Sequence, residues 1–83
     1  MQFDYQAVSS VLRRIRHKKG LSQEVVSGLA GIARTHLTMI ETGTKQLNLE
    51  TFWKLAQAFD IPASQLMLLV EQEIAKENSG TLK

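Results

Sequence analysis

The chain has 83 residues, a formal net charge of +2 and no cysteine. At this length one domain with a small, marginally stabilising core is expected, and the lack of cysteine excludes a disulfide framework and a thiolate metal site. The longest apolar run, Leu66 to Val70, is far too short to span a bilayer, and the opening MQFDYQ lacks the features of a signal peptide, so a cytoplasmic protein is expected. Charge is unevenly placed. Residues 1–45 carry seven Lys/Arg against three acids, and residues 46–83 carry three against five. A basic first half suits a polyanion; chance partition of eighteen charges is the plain alternative.

Asp4 is a fitting N-cap for a first helix. Val8, Val11, Leu12 and Ile15 follow at i, i+3, i+4 and i+7 and form one apolar face. Arg13, Arg14, His17, Lys18 and Lys19 fall on the other faces, and Gly20 ends the helix with bases in its last turn. Ser22 caps a second helix, with Glu24 in its first turn and Gln23 placed where its amide can reach a phosphate.

In the second helix Val26, Leu29 and Ala30 are spaced as an inward stripe. Gly31 breaks the pattern, Ile32 lies in the connection, and a new stripe begins at Leu37 and Ile40. Two short helices joined by a tight glycine-containing turn are the sequence form of a helix-turn-helix. The third helix, about Arg34 to Glu41, carries Arg34, Thr35, His36, Thr38 and Met39 on its remaining faces. A cation, hydroxyls and an apolar tip suit the floor of a DNA major groove. From the hairpin alone, an ordinary helical pair with a wetted polar face fits equally well.

Gly43 is a natural stop for the third helix, and Thr44 to Leu47 read as a polar loop. Asn48 caps a fourth helix, Leu49 to Phe59, with Leu49, Phe52, Leu55, Ala56 and Phe59 on its buried face. Pro62 fits the first turn of a fifth helix, with Ser64 as an alternative cap, and the pattern runs to about Lys76. The expected organisation is one all-α, five-helix domain over residues 1–78, with a flexible tail over residues 79–83.

The fifth helix has more apolar surface than one small core needs, because Leu66, Met67, Leu68, Leu69, Val70 and Ile74 cover more than one face. Trp53, Leu66, Met67, Leu69, Val70 and Ile74 are therefore the expected dimer interface; a symmetric homodimer lets one patch bury itself. His17 and His36 sit on different helices without a third ligand, so no metal is expected. No nucleophile–base pair is visible, and neither an enzyme nor a cofactor is expected.

The matches LRRIRHKKGLSQ, Gly31 in the turn, IETG at the close of the third helix, and LETFWKLAQAFDI occur together at the right spacing. On these, Leu12 to Leu66 resembles the lambda-repressor-like, or Cro-like, helix-turn-helix family, also called the XRE family. The small size and extended fifth helix also resemble the controller proteins of restriction–modification systems. Ser27, Gly28, Ala33 and Leu47 depart from the family pattern. Gly28 should weaken the second helix by about 1 kcal/mol relative to Ala, and Ala33 removes a usual side-chain cap.

The resemblance implies a lambda-repressor-like fold and a sequence-specific DNA-binding transcriptional regulator, acting as a homodimer on a palindromic operator. It implies base contacts from Arg34, Thr35, Thr38 and Met39. Arg34 and Thr38 remain open between base and phosphate, and Met39 between a thymine methyl and peripheral packing. Gln23, Thr42, Thr44, Lys45 and Gln46 match positions at the phosphate rims, which set register without carrying sequence information. Arg13, Lys18 and Lys19 add to the field. Arg16 and Glu41 fall where the family has a structural ion pair. Two other functions share the fold: an antitoxin-type DNA-binding protein whose C-terminal helix also binds a protein partner, and a protein-interaction module that does not read DNA. No small-molecule effector is expected.

Overall fold

In the computed structural model the backbone of residues 1–81 and the side chains of residues 1–77 are described, and among these the chain is all helix and turn. The five helices are α1 (Tyr5–Lys18), α2 (Gln23–Ala30), α3 (Arg34–Thr42), α4 (Leu49–Ala58) and α5 (Ala63–Thr81). The all-α, five-helix architecture is as the sequence predicts. Helix α5 continues past the expected end near Lys76, and Pro62 stands one residue ahead of it, its carbonyl accepting from Gln65 and Leu66 N–H. The flexible tail expected over residues 79–83 concerns side chains, and at 82–83 backbone, that lie outside the described residues.

Three of the helix starts have the predicted caps. Asp4 accepts from Gln6 N–H at 2.9 Å, Ser22 from Val25 N–H at 3.1 Å and Asn48 from Thr51 N–H at 2.8 Å. Each satisfies an N–H that the helix cannot pair internally. Ala33, in extended backbone at the start of α3, makes no side-chain cap bond. Gly31 and Gly43 close α2 and α3 at φ of 70° and 78°, in the left-handed region that a Cβ disfavours.

The core is one cluster drawn from every helix: Val8, Val11 and Leu12 of α1, Val26 and Ala30 of α2, Leu37 and Ile40 of α3, Phe52 and Leu55 of α4, and Leu66, Val70 and Ile74 of α5. Helix α1 packs on α3 and α5, and α2 packs on α3 and α4. This seats α2 and α3 against the rest of the bundle through one face each. Two expected core positions are instead exposed. Leu29 is 63% accessible because α2 turns Val26, Ser27 and Ala30 inward, and Leu29 lies about 100° around the helix from the centre of that stripe. Leu49 is 76% accessible although it shares the helical spacing of Phe52, Ala56 and Phe59, because it is the first residue of α4, at the end of that stripe. Among the described residues, no helix is long and apolar enough to cross a membrane.

Gly28 sits inside α2 with open space where a Cβ would stand. Alanine there should remove backbone entropy from the unfolded chain without a clash, stabilising the fold by roughly 0.5–1 kcal/mol. Thermal denaturation of Gly28→Ala should show a higher Tm; an unchanged or lower value would mean that this glycine does not limit α2.

Candidate nucleic-acid interface

Helix α3 has its inward residues, Leu37 and Ile40, in the core. Its C-terminal turn is then tied to α1 by three polar links. Ser9 Oγ donates to the Ile40 carbonyl at 2.7 Å. Arg13 Nη1 donates to the Glu41 carbonyl at 2.6 Å, a cation on one of the carbonyls that a helix end leaves unpaired. Arg16 grips the Glu41 carboxylate with two donors, Nε to Oε2 at 2.8 Å and Nη2 to Oε1 at 2.9 Å. Glu41 is 2% accessible, so the expected Arg16–Glu41 ion pair is present and its acid is fully desolvated. Arg16 also donates to the Leu21 carbonyl at 3.0 Å and so fixes the α1–α2 connection.

Gln23, at the first position of α2, donates Nε2 to Glu41 Oε1 at 3.1 Å. Its Oε1 accepts from Thr38 Oγ1 at 2.9 Å. The chain of contacts Arg16–Glu41–Gln23–Thr38 thus runs from the interior to the outer surface of α3. The Gln23 amide is thus held by the protein through both its oxygen and its nitrogen.

With that face fixed, Arg34, Thr35 and Met39 are exposed on the other side, and Thr38 and His36 are both half-buried. The four residues expected at bases therefore lie on the part of α3 that the core does not use. Thr44, Lys45 and Gln46 follow exposed beyond Gly43. Thr42 Oγ1 donates to the carbonyls of Thr38 or Met39 at 2.9 and 3.2 Å, and Thr44 Oγ1 to that of Met39 at 3.2 Å. These hydroxyls close the end of α3, and the Lys45 and Gln46 side chains stand exposed at the rim.

Several expected placements change. Arg13 is a cap for α3 rather than a freely solvated charge. Lys18 and Lys19 line a groove with Ile15, Ile61, Gln65 and Leu69, next to the α4–α5 connection. Leu66, Val70 and Ile74, expected in a dimer interface, lie in the core, because spacing at i, i+4 and i+8 puts all three on the one face of α5 that meets α1 and α4. Met67 and Leu69 are partly covered on opposite flanks of that stripe, about 200° apart around the helix. Met67 lines a groove with Phe3, Tyr5, Leu47, Leu49 and Phe52; Leu69 faces Ile15. Trp53 is 57% accessible on α4, one turn from exposed Leu49.

The Ser9 link was not foreseen. Its only trace in the sequence is a small polar residue beside an apolar stripe, where two helices can approach closely. The Gln23–Thr38 bond depends on how α2 and α3 cross, which spacing along either helix does not specify.

Comparison with known proteins agrees with this geometry. The profile of a family described as helix-turn-helix matches residues 12–66. An uncharacterized HTH-type transcriptional regulator of Sinorhizobium fredii, y4dJ, is 33% identical over 60 residues, 72% of this chain and 78% of that protein. The cryptic phage CTXphi transcriptional repressor RstR of Vibrio cholerae is 34% identical over 75 residues, 90% of this chain and 68% of that one. Among solved structures, the restriction-modification controller protein C.AhdI of Aeromonas hydrophila has a TM-score of 0.73 and 36% identity, covering 76% of this chain and 96% of that one.

Proposed function

From the chain's membership of the helix-turn-helix family, in its XRE-type branch of DNA-binding transcriptional regulators, we propose that it acts as a homodimer on a palindromic operator. The observation that carries this reading is the division of α3 into two faces. One is locked to the bundle by Leu37, Ile40 and the bonds at Glu41; the other offers Arg34, Thr35, Thr38 and Met39 to solvent. A helix held this rigidly presents its outer side chains to a groove without a large ordering cost. Arg34, at the first position of α3, has the reach and planar donors for guanine O6 and N7. Lys45, in the following loop, is a phosphate contact.

The two cations should separate in binding assays. Arg34→Ala should weaken binding to the selected operator by ~1–3 kcal/mol and relax preference at one position, with folding unchanged. Lys45→Ala should weaken all sequences alike and flatten the dependence on salt. Titration of an operator selected from a random pool, at several salt concentrations, tests both. Equal losses on specific and random DNA for both variants would defeat the division of roles.

Dimerisation would bring two such helices to one side of the duplex, roughly 34–36 Å apart, one turn of B-DNA. The α4 face with Leu49 and Trp53, continued by Met67 of α5, is the surface that suits it. Leu49 and Trp53 are apolar and exposed one turn apart on α4, and Leu49 lines a groove with the partly covered Met67. The relatives support the regulatory reading: RstR is a transcriptional repressor and C.AhdI a controller protein.

A further inference from the structure

The hydrogen bonds around Thr38 fix which way its hydroxyl can serve a ligand. The accounting starts in the interior. A carboxylate gripped twice by a guanidinium can only accept, so the Gln23 atom that faces Glu41 Oε1 at 3.1 Å is necessarily the nitrogen. The amide therefore cannot flip, and Gln23 Oε1 is the atom turned to Thr38, 2.9 Å away. The other close partner of Thr38 Oγ1 is the Arg34 carbonyl at 3.1 Å. Both are acceptors, and the hydroxyl has one proton to give. Whichever of the two takes it, neither lone pair of Oγ1 is used by the protein, and the one that does not face the second oxygen is open to accept from a ligand.

We propose that Thr38 is a specificity-determining residue that accepts a hydrogen bond from an exocyclic amino group, adenine N6 or cytosine N4, on a base edge in the major groove. The inference rests on the DNA-binding reading given above. In the major groove these amino groups are the donors, whereas guanine O6 and N7, adenine N7 and thymine O4 only accept. A phosphate oxygen also only accepts, so a contact from Thr38 to the backbone would place three acceptors around one proton. Gln23 acts here as a positioning residue. Anchored by Glu41, it keeps an acceptor against Thr38, so that the hydroxyl meets a ligand with a lone pair rather than its proton.

The test begins with selection of bound duplexes from a random pool by the wild-type chain. In the selected site, each adenine of the core is replaced in turn by purine lacking the 6-amino group, and each cytosine by the analogue lacking the 4-amino group. Binding of the wild type, Thr38→Val and Thr38→Ser is then measured to each duplex. Valine keeps the shape and the methyl group but removes the acceptor; serine keeps the acceptor and removes the methyl.

At one position, loss of the amino group should lower wild-type affinity by roughly five- to tenfold, as expected for one neutral hydrogen bond and its stranded acceptor. Thr38→Val should be weakened by a similar factor on the intact site and be indifferent to that replacement. Thr38→Ser should still respond to it. Which analogue shows the effect assigns adenine or cytosine. Equal responses of wild type and Thr38→Val at every position would overturn the proposal while leaving DNA binding standing. So would a Thr38→Val that keeps the full base preference, since a methyl contact would then be responsible. A wild-type chain that selects no sequence would overturn the DNA-binding reading and this inference together.

Discussion

Glu41→Ala should destabilise the domain by about 3–5 kcal/mol, the loss expected when one partner of a buried ion pair is removed. A domain of this length has roughly 4–12 kcal/mol in total, so much of the population should be unfolded at moderate temperature. The carboxylate is 2% accessible and accepts three hydrogen bonds, two from Arg16 and one from Gln23. Alanine strands all three donors and leaves a cavity at the point where α1, α2 and α3 meet. Arg16→Ala should be at least as damaging, because it leaves the more deeply buried charge with Gln23 alone. Replacing both together, by Met at 16 and Leu at 41, should recover much of the loss, since an apolar pair of similar volume has no charge to desolvate. Urea denaturation of the three variants is the measurement. A loss below about 1 kcal/mol for Glu41→Ala would put the pair in the class of exposed salt bridges.

This pair also shows how the sequence conveys its fold. Arg16 and Glu41 interrupt apolar stripes, and a family resemblance supplies the partner for each. The helices were legible because period and punctuation agree: Asp4, Ser22 and Asn48 at the starts, Gly31 and Gly43 at the stops. What was not legible is which apolar residues the core leaves outside. Leu29 and Leu49 satisfy a helical spacing as well as Val26 and Phe52 do, and only the direction from which neighbouring helices approach separates them. On α5 the same ambiguity runs the other way. Leu66, Val70 and Ile74 were expected outside and lie inside, because the domain needs one full stripe of α5 to close over α1 and α4. The outer residues of α3 were legible as a group, since they are what remains after Leu37, Ile40 and Glu41 turn inward. The hydrogen-bond polarity at Thr38 was not, because it depends on Gln23, fifteen residues away on another helix.

Trp53→Glu should split the dimer and leave the fold intact. Trp53 is more than half accessible in the single chain and lies outside the core cluster, so a charge there has water available in the monomer. In an isologous interface the same charge meets its own copy across the two-fold axis, or is buried without a partner. Aromatic anchors of this kind commonly dominate interface energetics, and a tryptophan buries up to about 250 Å². Leu69→Glu is the control. Leu69 lies on the flank of α5 opposite Met67, beside Ile15, Lys18 and Lys19. A glutamate there has two ammonium groups close by and should leave association unchanged. Sedimentation at micromolar concentration should therefore give a dimer for the wild type and Leu69→Glu, and a monomer for Trp53→Glu with its helical circular dichroism retained. Operator binding by Trp53→Glu should fall by roughly 10²–10⁴-fold, because the second half-site is no longer held at a high effective concentration. The two losses must go together: a Trp53→Glu protein that still sediments as a dimer moves the interface elsewhere. A wild type that sediments as a monomer, and binds a palindrome with single-site stoichiometry, removes the dimer altogether.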